Sequence, residues 1–399
     1  MLSNICTVEN DQLLYRLALT RLPGIGPVQT KKLIRYFGNA GDIFCASRSS
    51  LLAAGLSARA AESIRIFDDH DKLAGELALL QQNSIRLLFF TDAEYPRRLL
   101  AIEDAPPLLY FQGKVDLNAQ KIVSIIGTRS SDDYGRHITE QLIKELASSG
   151  VVVISGLAAG IDTAAHKAAL NNALPTVAVL GQGLGTAIYP YENAGLSQQM
   201  LKQGGLLTSF EFHEAAAPYN FPARNQLVAG LCDALLVVQT KLEGGSMLTV
   251  GYAKKYKKTI FAVPGRPTDK KSQGCNWLIR QREAHLLASG EQLAATMGWA
   301  WPQGGTGVQA LLSFEPPADR QEHENGDKEE RLLQLIDDKD SPGIDELATC
   351  SGLDASTVAL LLLRLELRGS VIALPGKRFM LAPGEPPSAP PLPSLSAVS

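Results

Sequence analysis

Four short aliphatic runs, each ending on glycine or a small polar residue, limit what this chain can fold into. Ile122-Val123-Ser124-Ile125-Ile126 runs into Gly127, and Val151-Val152-Val153-Ile154 into Ser155-Gly156. Thr176 to Leu180 ends at Gly181, and Ala234 to Val238 leads to Gly244-Gly245-Ser246. Between them lie helical patterns, such as Ile138, Leu142, Ile143 and Leu146, or the helix through Ala164-Ala165-His166. Apolar strands alternating with amphipathic helices predict an α/β fold with a parallel sheet covered on both faces. Ligands of such sheets collect at the carboxyl ends of the strands, where helix N-termini offer free N–H groups to anions. The glycines, serines and threonines at that edge predict a ligand that carries phosphate.

A chain of 399 residues has room for two or three domains, and 45% hydrophobic with 20% charged residues is ordinary for a globular protein. No apolar run approaches the ~20 residues of a membrane span, and no signal pattern opens the sequence, so no membrane association and a cytoplasmic location are expected. The five cysteines are scattered without a Cys-x-x-Cys pair, and the six histidines form no ligand cluster, so no metal is expected. Charge is uneven: residues 121–300 carry net +4, residues 301–399 carry −7, and the first 120 balance. Affinity for phosphate therefore belongs to the middle of the chain.

Residues 1–84 read as a helical domain of helix-hairpin-helix or SAM-like type, with the turn at Leu22-Pro23-Gly24-Ile25-Gly26-Pro27 followed by Lys31 and Lys32. Residues 85–301 form the sheet domain, with a short strand at 85–90 and an extended connection at Pro106–Tyr110. A Gly-, Pro- and acid-rich linker is expected at 302–327 and a small winged-helix domain at 328–382. Its third helix, Asp354–Arg368, is mostly apolar, which favours protein contact over base reading. The Pro/Ser-rich tail, 383–399, is expected to be disordered.

Within the sheet domain, Asn220-Phe221-Pro222-Ala223-Arg224-Asn225-Gln226 precedes an apolar helix expected to begin near Leu227. Its arginine and asparagine suit a phosphate, and its aromatic ring a base. Gly274-Cys275-Asn276 reads as a helix cap, and Lys254-Lys255-Tyr256-Lys257-Lys258 either as a helix end where cations offset the dipole or as a basic rim for nucleic acid. Asp162 and His166 share a helix face, and the simpler reading is a hydrogen bond bracing the Gly156–Gly160 loop.

Taken in order, several of these segments resemble the bacterial DNA-processing protein A family, also called Smf, recombination mediators in natural transformation. They are Gly127-Thr128-Arg129, Ser155-Gly156-Leu157-Ala158 with Gly160-Ile161-Asp162 and Ala165-His166, Phe221-Pro222-Ala223-Arg224-Asn225, Gly244-Gly245-Ser246, and Ala262-Val263-Pro264-Gly265 with Gly274-Cys275-Asn276. The resemblance spans residues 10–382. It implies an extended Rossmann-like domain that binds single-stranded DNA without a nucleotide cofactor, dimerises with a second copy, and delivers the recombinase RecA. It places Thr128, Arg129, Gly156, Phe221, Arg224, Asn225, Lys241 and the Gly244-Gly245-Ser246 turn at the DNA. Two departures remove positive charge: Gln226 stands where an arginine is usual, and Glu243 where a basic residue often precedes the turn.

Two enzyme readings fit less well. Related nucleotide phosphoribohydrolases carry Pro-Gly-Gly-x-Gly-Thr-x-x-Glu, and here Met247 and Gly251 replace the third glycine and the glutamate, so the catalytic carboxylate is missing. For a dinucleotide-dependent oxidoreductase, Gly127-Thr128-Arg129 is no Gly-x-Gly-x-x-Gly, and its arginine would obstruct a pyrophosphate. No enzymatic activity is expected.

Overall fold

A computed structural model of the chain describes residues 12–301, 320–339, 341–374 and 378–381. They fall into two compact units divided at Gly304. The first is built on one sheet of nine strands: β1 (Arg86–Phe89), β2 (Leu108–Gly113), β3 (Ile122–Ile126), β4 (Val152–Ser155), β5 (Thr176–Val179), β6 (Gly205–Thr208), β7 (Ala234–Val237), β8 (Thr259–Ala262) and β9 (His285–Leu286). Their spatial order is β1-β2-β6-β5-β4-β3-β7-β8-β9. From β6 to β9 neighbours run parallel, but β2 joins β6, and β1 joins β2, antiparallel.

The sheet is thus mixed at one edge, where the sequence indicates an all-parallel one. Leu108 to Tyr110, expected as a connection, begins a ladder strand with Leu108–Phe111 buried. Pro106 and Pro107 have no N–H to give a ladder, so pairing starts just after them. Strand β6 is not among the strands expected from the sequence, and it opens at Gly204-Gly205. The glycines are there for close approach: a Cβ would lie 1.9 Å from the Thr176 carbonyl at Gly204 and 2.5 Å from the Phe111 ring at Gly205.

Alternation along the strands sends side chains to two cores. Ile122, Ile126, Ile154, Leu235 and Val237 pack with Leu227 and Val228 of α11 (Asn220–Leu231), Val250 and Ala253 of α12 (Gly245–Lys255), and Leu278 of α13 (Gln273–Arg280). Val123, Ile125, Val153 and Leu236 pack with Leu142 and Ile143 of α8 (Asp133–Leu146), Ile161 and Ala165 of α9 (Ile161–Asn171), and Leu293 of α14 (Gly290–Thr296). Ser124 breaks the apolar run, and its hydroxyl is satisfied by donating to the Val228 carbonyl at 2.7 Å.

The N-terminal helices are α1 (12–19), α2 (Pro27–Phe37), α3 (Ala40–Cys45), α4 (Arg48–Ala53), α5 (Ala58–Arg65) and α6 (His70–Gln82). Their core, including Leu17, Leu33, Ile43 and Leu80, continues into Phe89, Leu108 and Tyr110 of β1 and β2. The hairpin turn is present, with Gly24 at φ 81° and Gly26 capping α2. Lys31, however, is buried and donates to the Ile102 and Glu103 carbonyls at 3.0 and 3.1 Å, and burial pushes its ammonium pKa down. It ties the hairpin to the chain leading into the sheet.

The second unit has winged-helix order: α15 (Arg320–Asp337), α16 (Ile344–Ser351), α17 (Ala355–Leu367), β10 (Val371–Leu374) and β11 (Arg378–Leu381). Helix α15 begins inside the stretch expected as linker. Asp354 caps α17 by accepting from the Thr357 N–H at 2.9 Å. Leu360 and Leu363 of α17 are half exposed, as the apolar third helix suggested. The tail at 383–399 lies outside the described residues.

Candidate nucleic-acid interface

Strand β3 has β4 on one side and β7 on the other. The chain leaves β3 through β4, β5 and β6, then returns across the sheet to β7. This reversal opens a crevice beyond the carboxyl ends of β3 and β7. A cavity of about 470 Å³ lies there, lined by Gly127 to Ser130 after β3, by Phe221, Arg224 and Asn225 of α11, and by Lys241, Gly244, Gly245 and Ser246 before α12. Nine of the ten residues expected at DNA line this one cavity. The tenth, Gly156, lies in a narrower slot beneath it.

The first wall is rigid at the backbone. Thr128 N–H donates to the Gln239 carbonyl at 2.7 Å, and its own carbonyl accepts from Ile161 N–H at 3.2 Å. Arg129 projects from this wall, exposed, with no ion pair among the described residues, and its guanidinium carbon stands 5.0 Å from the centre of the Phe221 ring.

The second wall corrects the sequence reading. Helix α11 begins at Asn220, not near Leu227. Pro222 falls in the first turn, where a missing N–H costs nothing. Phe221, Arg224 and Asn225 are therefore i, i+3 and i+4 on a single helix face. Asn220 anchors the start by donating to the Gly181 carbonyl at 3.1 Å and to Glu214 at 3.0 Å.

Arg224 is only 5% exposed. Its Nη1 lies 3.5 Å from the buried Asp162 carboxylate, and its Nε has no hydrogen-bond partner among the described residues. Burial pushes the Asp162 carboxyl up and the Arg224 guanidinium down, each partly offset by the other. Asp162 also accepts from the Gly156 and Ala158 N–H groups at 3.2 and 3.3 Å, the loop-bracing role expected for it. A Cβ on Gly156 would sit 1.0 Å from Arg224 Nη1. This glycine makes room for the Arg224 side chain.

The third wall is the turn into α12. Gly244 caps the helix with extended backbone, φ −74° and ψ 149°, and its N–H donates to the Lys241 carbonyl at 3.1 Å. Ser246 Oγ donates to Thr240 Oγ1 at 2.6 Å. Gly245 and Ser246 N–H groups belong to the first turn, which has no intrahelical acceptors for them. Together with Lys241 they make the α12 end attractive to an anion.

A profile of the DNA recombination-mediator protein A family matches residues 86–298, and one of the DprA winged helix domain matches 316–377. The chain belongs to the DNA recombination-mediator protein A family. It is 30% identical over 93% of its length to Protein Smf of Synechocystis, covering 99% of that protein, and 33% identical over 82% to Protein Smf of Escherichia coli, covering 85%. The X-ray structure of DNA processing protein A from Streptococcus pneumoniae covers 72% of this chain and 97% of its own at TM-score 0.61 and 32% identity.

The two departures from the family pattern now have positions. Gln226 does not line the cavity and donates to the Asp104 carbonyl at 3.4 Å. Glu243 is exposed on the turn beside Lys241. Of the 254–258 lysines, Lys254 pairs with Glu283 at 2.7 Å and Lys255 with Asp104 at 2.6 Å, consistent with a helix end. Gly274-Cys275-Asn276 lies inside α13 rather than capping it, and Asn276 clamps Gly265 by donating to its carbonyl and accepting from its N–H. His166 is fully buried, its Nδ1 2.7 Å from Thr176 Oγ1, and burial pushes its pKa down to about 3. A neutral imidazole sealed from water does not serve acid–base chemistry. Among the described residues no cluster of three or more His, Cys, Asp or Glu could hold a metal, and no single helix is long and apolar enough to cross a membrane.

Tyr189 is the residue at this edge that sequence reasoning missed. Its ring centre lies 6.0 Å from that of Phe221. The only signal was the Tyr189-Pro190-Tyr191 triplet itself.

Proposed function

We propose that the crevice binds single-stranded DNA, with phosphates at Arg129, Lys241 and the α12 N-terminus and a base against Phe221. The observation that carries this is Arg129, exposed and without a carboxylate partner among the described residues, resting on an aromatic ring at the cavity. An exposed cation–π contact contributes about 0.5–1 kcal/mol, whereas base stacking on an aromatic contributes about 1–3 kcal/mol. A base therefore displaces the guanidinium from Phe221 and frees it for the adjacent phosphate. Arg224, held below the surface at the cavity wall, adds positive potential, and Asp162 offsets part of it.

The Rossmann-like domain then acts without cofactor or catalysis. As its family resemblance implies, it works as a homodimer that protects incoming single strands and delivers RecA onto them during natural transformation. Gel-shift against single- and double-stranded oligonucleotides of equal length tests the binding step, with preference for the single strand expected. Equal affinity for both, or for neither, would sink it. RecA filament formation on DNA precoated with single-strand-binding protein tests delivery. No acceleration by this protein would remove that role.

A further inference from the structure

The wall that carries Phe221 is held from behind by the segment between β6 and α11, residues 209–219. Glu214 in this segment accepts from Asn220 Nδ2 at 3.0 Å, and its carbonyl accepts from Gly183 N–H at 2.8 Å. It thus joins the first residue of α11 to the loop after β5. Two residues earlier, Phe212 leaves the segment for the buried core of the N-terminal helices. A Cβ on Gly185 would stand 2.5 Å from its ring, so the loop after β5 stays small to let it pass. Arg21, in the turn after α1, reaches the same segment. Its Nη1 and Nη2 donate to Glu76 of α6 at 2.7 and 2.5 Å, and Nη2 also donates to Tyr110 Oη of β2 at 3.0 Å. Its Nε faces the Glu211 carboxylate at 3.3 Å. One guanidinium therefore meets α6, β2 and the segment that leads to Phe221.

We propose that the N-terminal helices position the crevice wall: Glu214 fixes the start of α11, and with it Phe221, while Arg21 and Phe212 hold the segment that carries Glu214. The inference rests on the single-strand reading above. Glu214 and Arg21 are positioning residues, since neither lines the crevice. Local chemistry does not fix this helix start. Tyr219 at the N-cap makes no side-chain cap bond, and the first-turn N–H groups have no intrahelical acceptors. The start is held instead by the bonds of Asn220 to Glu214 and Gly181. Phe221 is the second residue of the helix, so it is among the first to loosen when that hold is lost. A ring that is not held in place must be ordered when a base stacks on it, and that ordering subtracts from affinity.

The test compares Glu214→Ala with Glu214→Gln in the full-length protein. Both remove the same charge, but glutamine keeps an acceptor for Asn220. By fluorescence anisotropy on a dT oligonucleotide, Glu214→Ala should bind about fivefold more weakly than Glu214→Gln, the size of one hydrogen bond, with the same salt slope. In a Phe221→Ala background the two should bind alike, because the hold then has no ring to position. Hydrogen exchange reads the link to the helices. The peptide 219–231 should exchange faster in Arg21→Lys than in wild type, since lysine keeps the charge beside Glu76 but lacks the fork that also reaches Tyr110 and Glu211. Peptides from β3 and β4 should be unchanged. Glu211→Ala, at a side chain 54% exposed, should give the same result even if Arg21→Lys fails to fold. Equal affinities for the two Glu214 variants overturn the proposal. So does unchanged exchange of 219–231 in Arg21→Lys and Glu211→Ala. If the wild type binds no single strand, the single-strand reading has failed, and exchange alone decides whether the helices hold α11.

Discussion

Two arginines at the same edge behave differently because of what surrounds them. Arg129 is exposed and bound to no carboxylate among the described residues, so Arg129→Ala should leave the melting temperature unchanged. It should also weaken single-strand binding at every sequence and make the salt slope shallower by about 0.7. An unchanged slope would end its role as a phosphate contact. Arg224→Ala instead leaves Asp162 buried without its partner, and a loss on the order of 3–5 kcal/mol in chemical denaturation is expected. His166 offers a third residue-level test. Its pKa in the fold, about 3, lies below the ordinary 6.5, so the folded state resists protonation that the unfolded chain accepts. Its contribution is therefore complete above pH 6.5 and is lost as pH falls from there toward 3. Urea unfolding between pH 7 and 5 should show stability dropping by up to about 1.4 kcal/mol per pH unit from this one group. His166→Gln should flatten that dependence, and identical profiles for variant and wild type would show that the imidazole is not held neutral.

At the scale of elements, the N-terminus of α12 can be tested without unfolding it. Gly245 is the first helical residue, its Cβ position is open space, and Gly244 before it is extended. Proline fits there, since the first helical position tolerates it and the preceding residue already has the conformation proline demands. Gly245→Pro should keep the fold and remove one N–H donor. Single-strand affinity should fall by about 1.5–3 kcal/mol, the scale of a hydrogen bond to a charged group, with little change in salt slope. Gly245→Ala, which keeps the donor, should bind like wild type, and equal affinity for both variants would show that the helix end does not hold phosphate.

At the scale of the whole molecule, charge separates the two units. The positive excess lies at residues 121–300 and the negative excess at 301–399. A chain ending at Pro302 should therefore retain most of its single-strand affinity, measured by anisotropy beside the full-length protein. Loss of most affinity with an intact melting transition would assign the winged helix a part in DNA binding.

Four glycine-ended apolar runs were enough to place an α/β sheet and its carboxyl edge in the middle of the chain. The reason is that burial on both faces forces continuous apolar strands and leaves chemistry only at their ends. Sequence order alone also suggested the winged helix, because its caps and hairpin are local. What it could not supply was anything set by contacts between distant segments. Strand β6 opens at Gly204-Gly205, and those glycines answer to Thr176 and Phe111, far along the chain. Helix α11 starts at Asn220 rather than near Leu227, and Pro222 is compatible with it because it falls in the first turn. Gly156 and Gly181 look like phosphate-loop glycines, yet they are small because Arg224 and Phe221 occupy the space above them. Whether an arginine reaches solvent or an internal carboxylate depends on which helix face meets the sheet, and only the folded chain decides that.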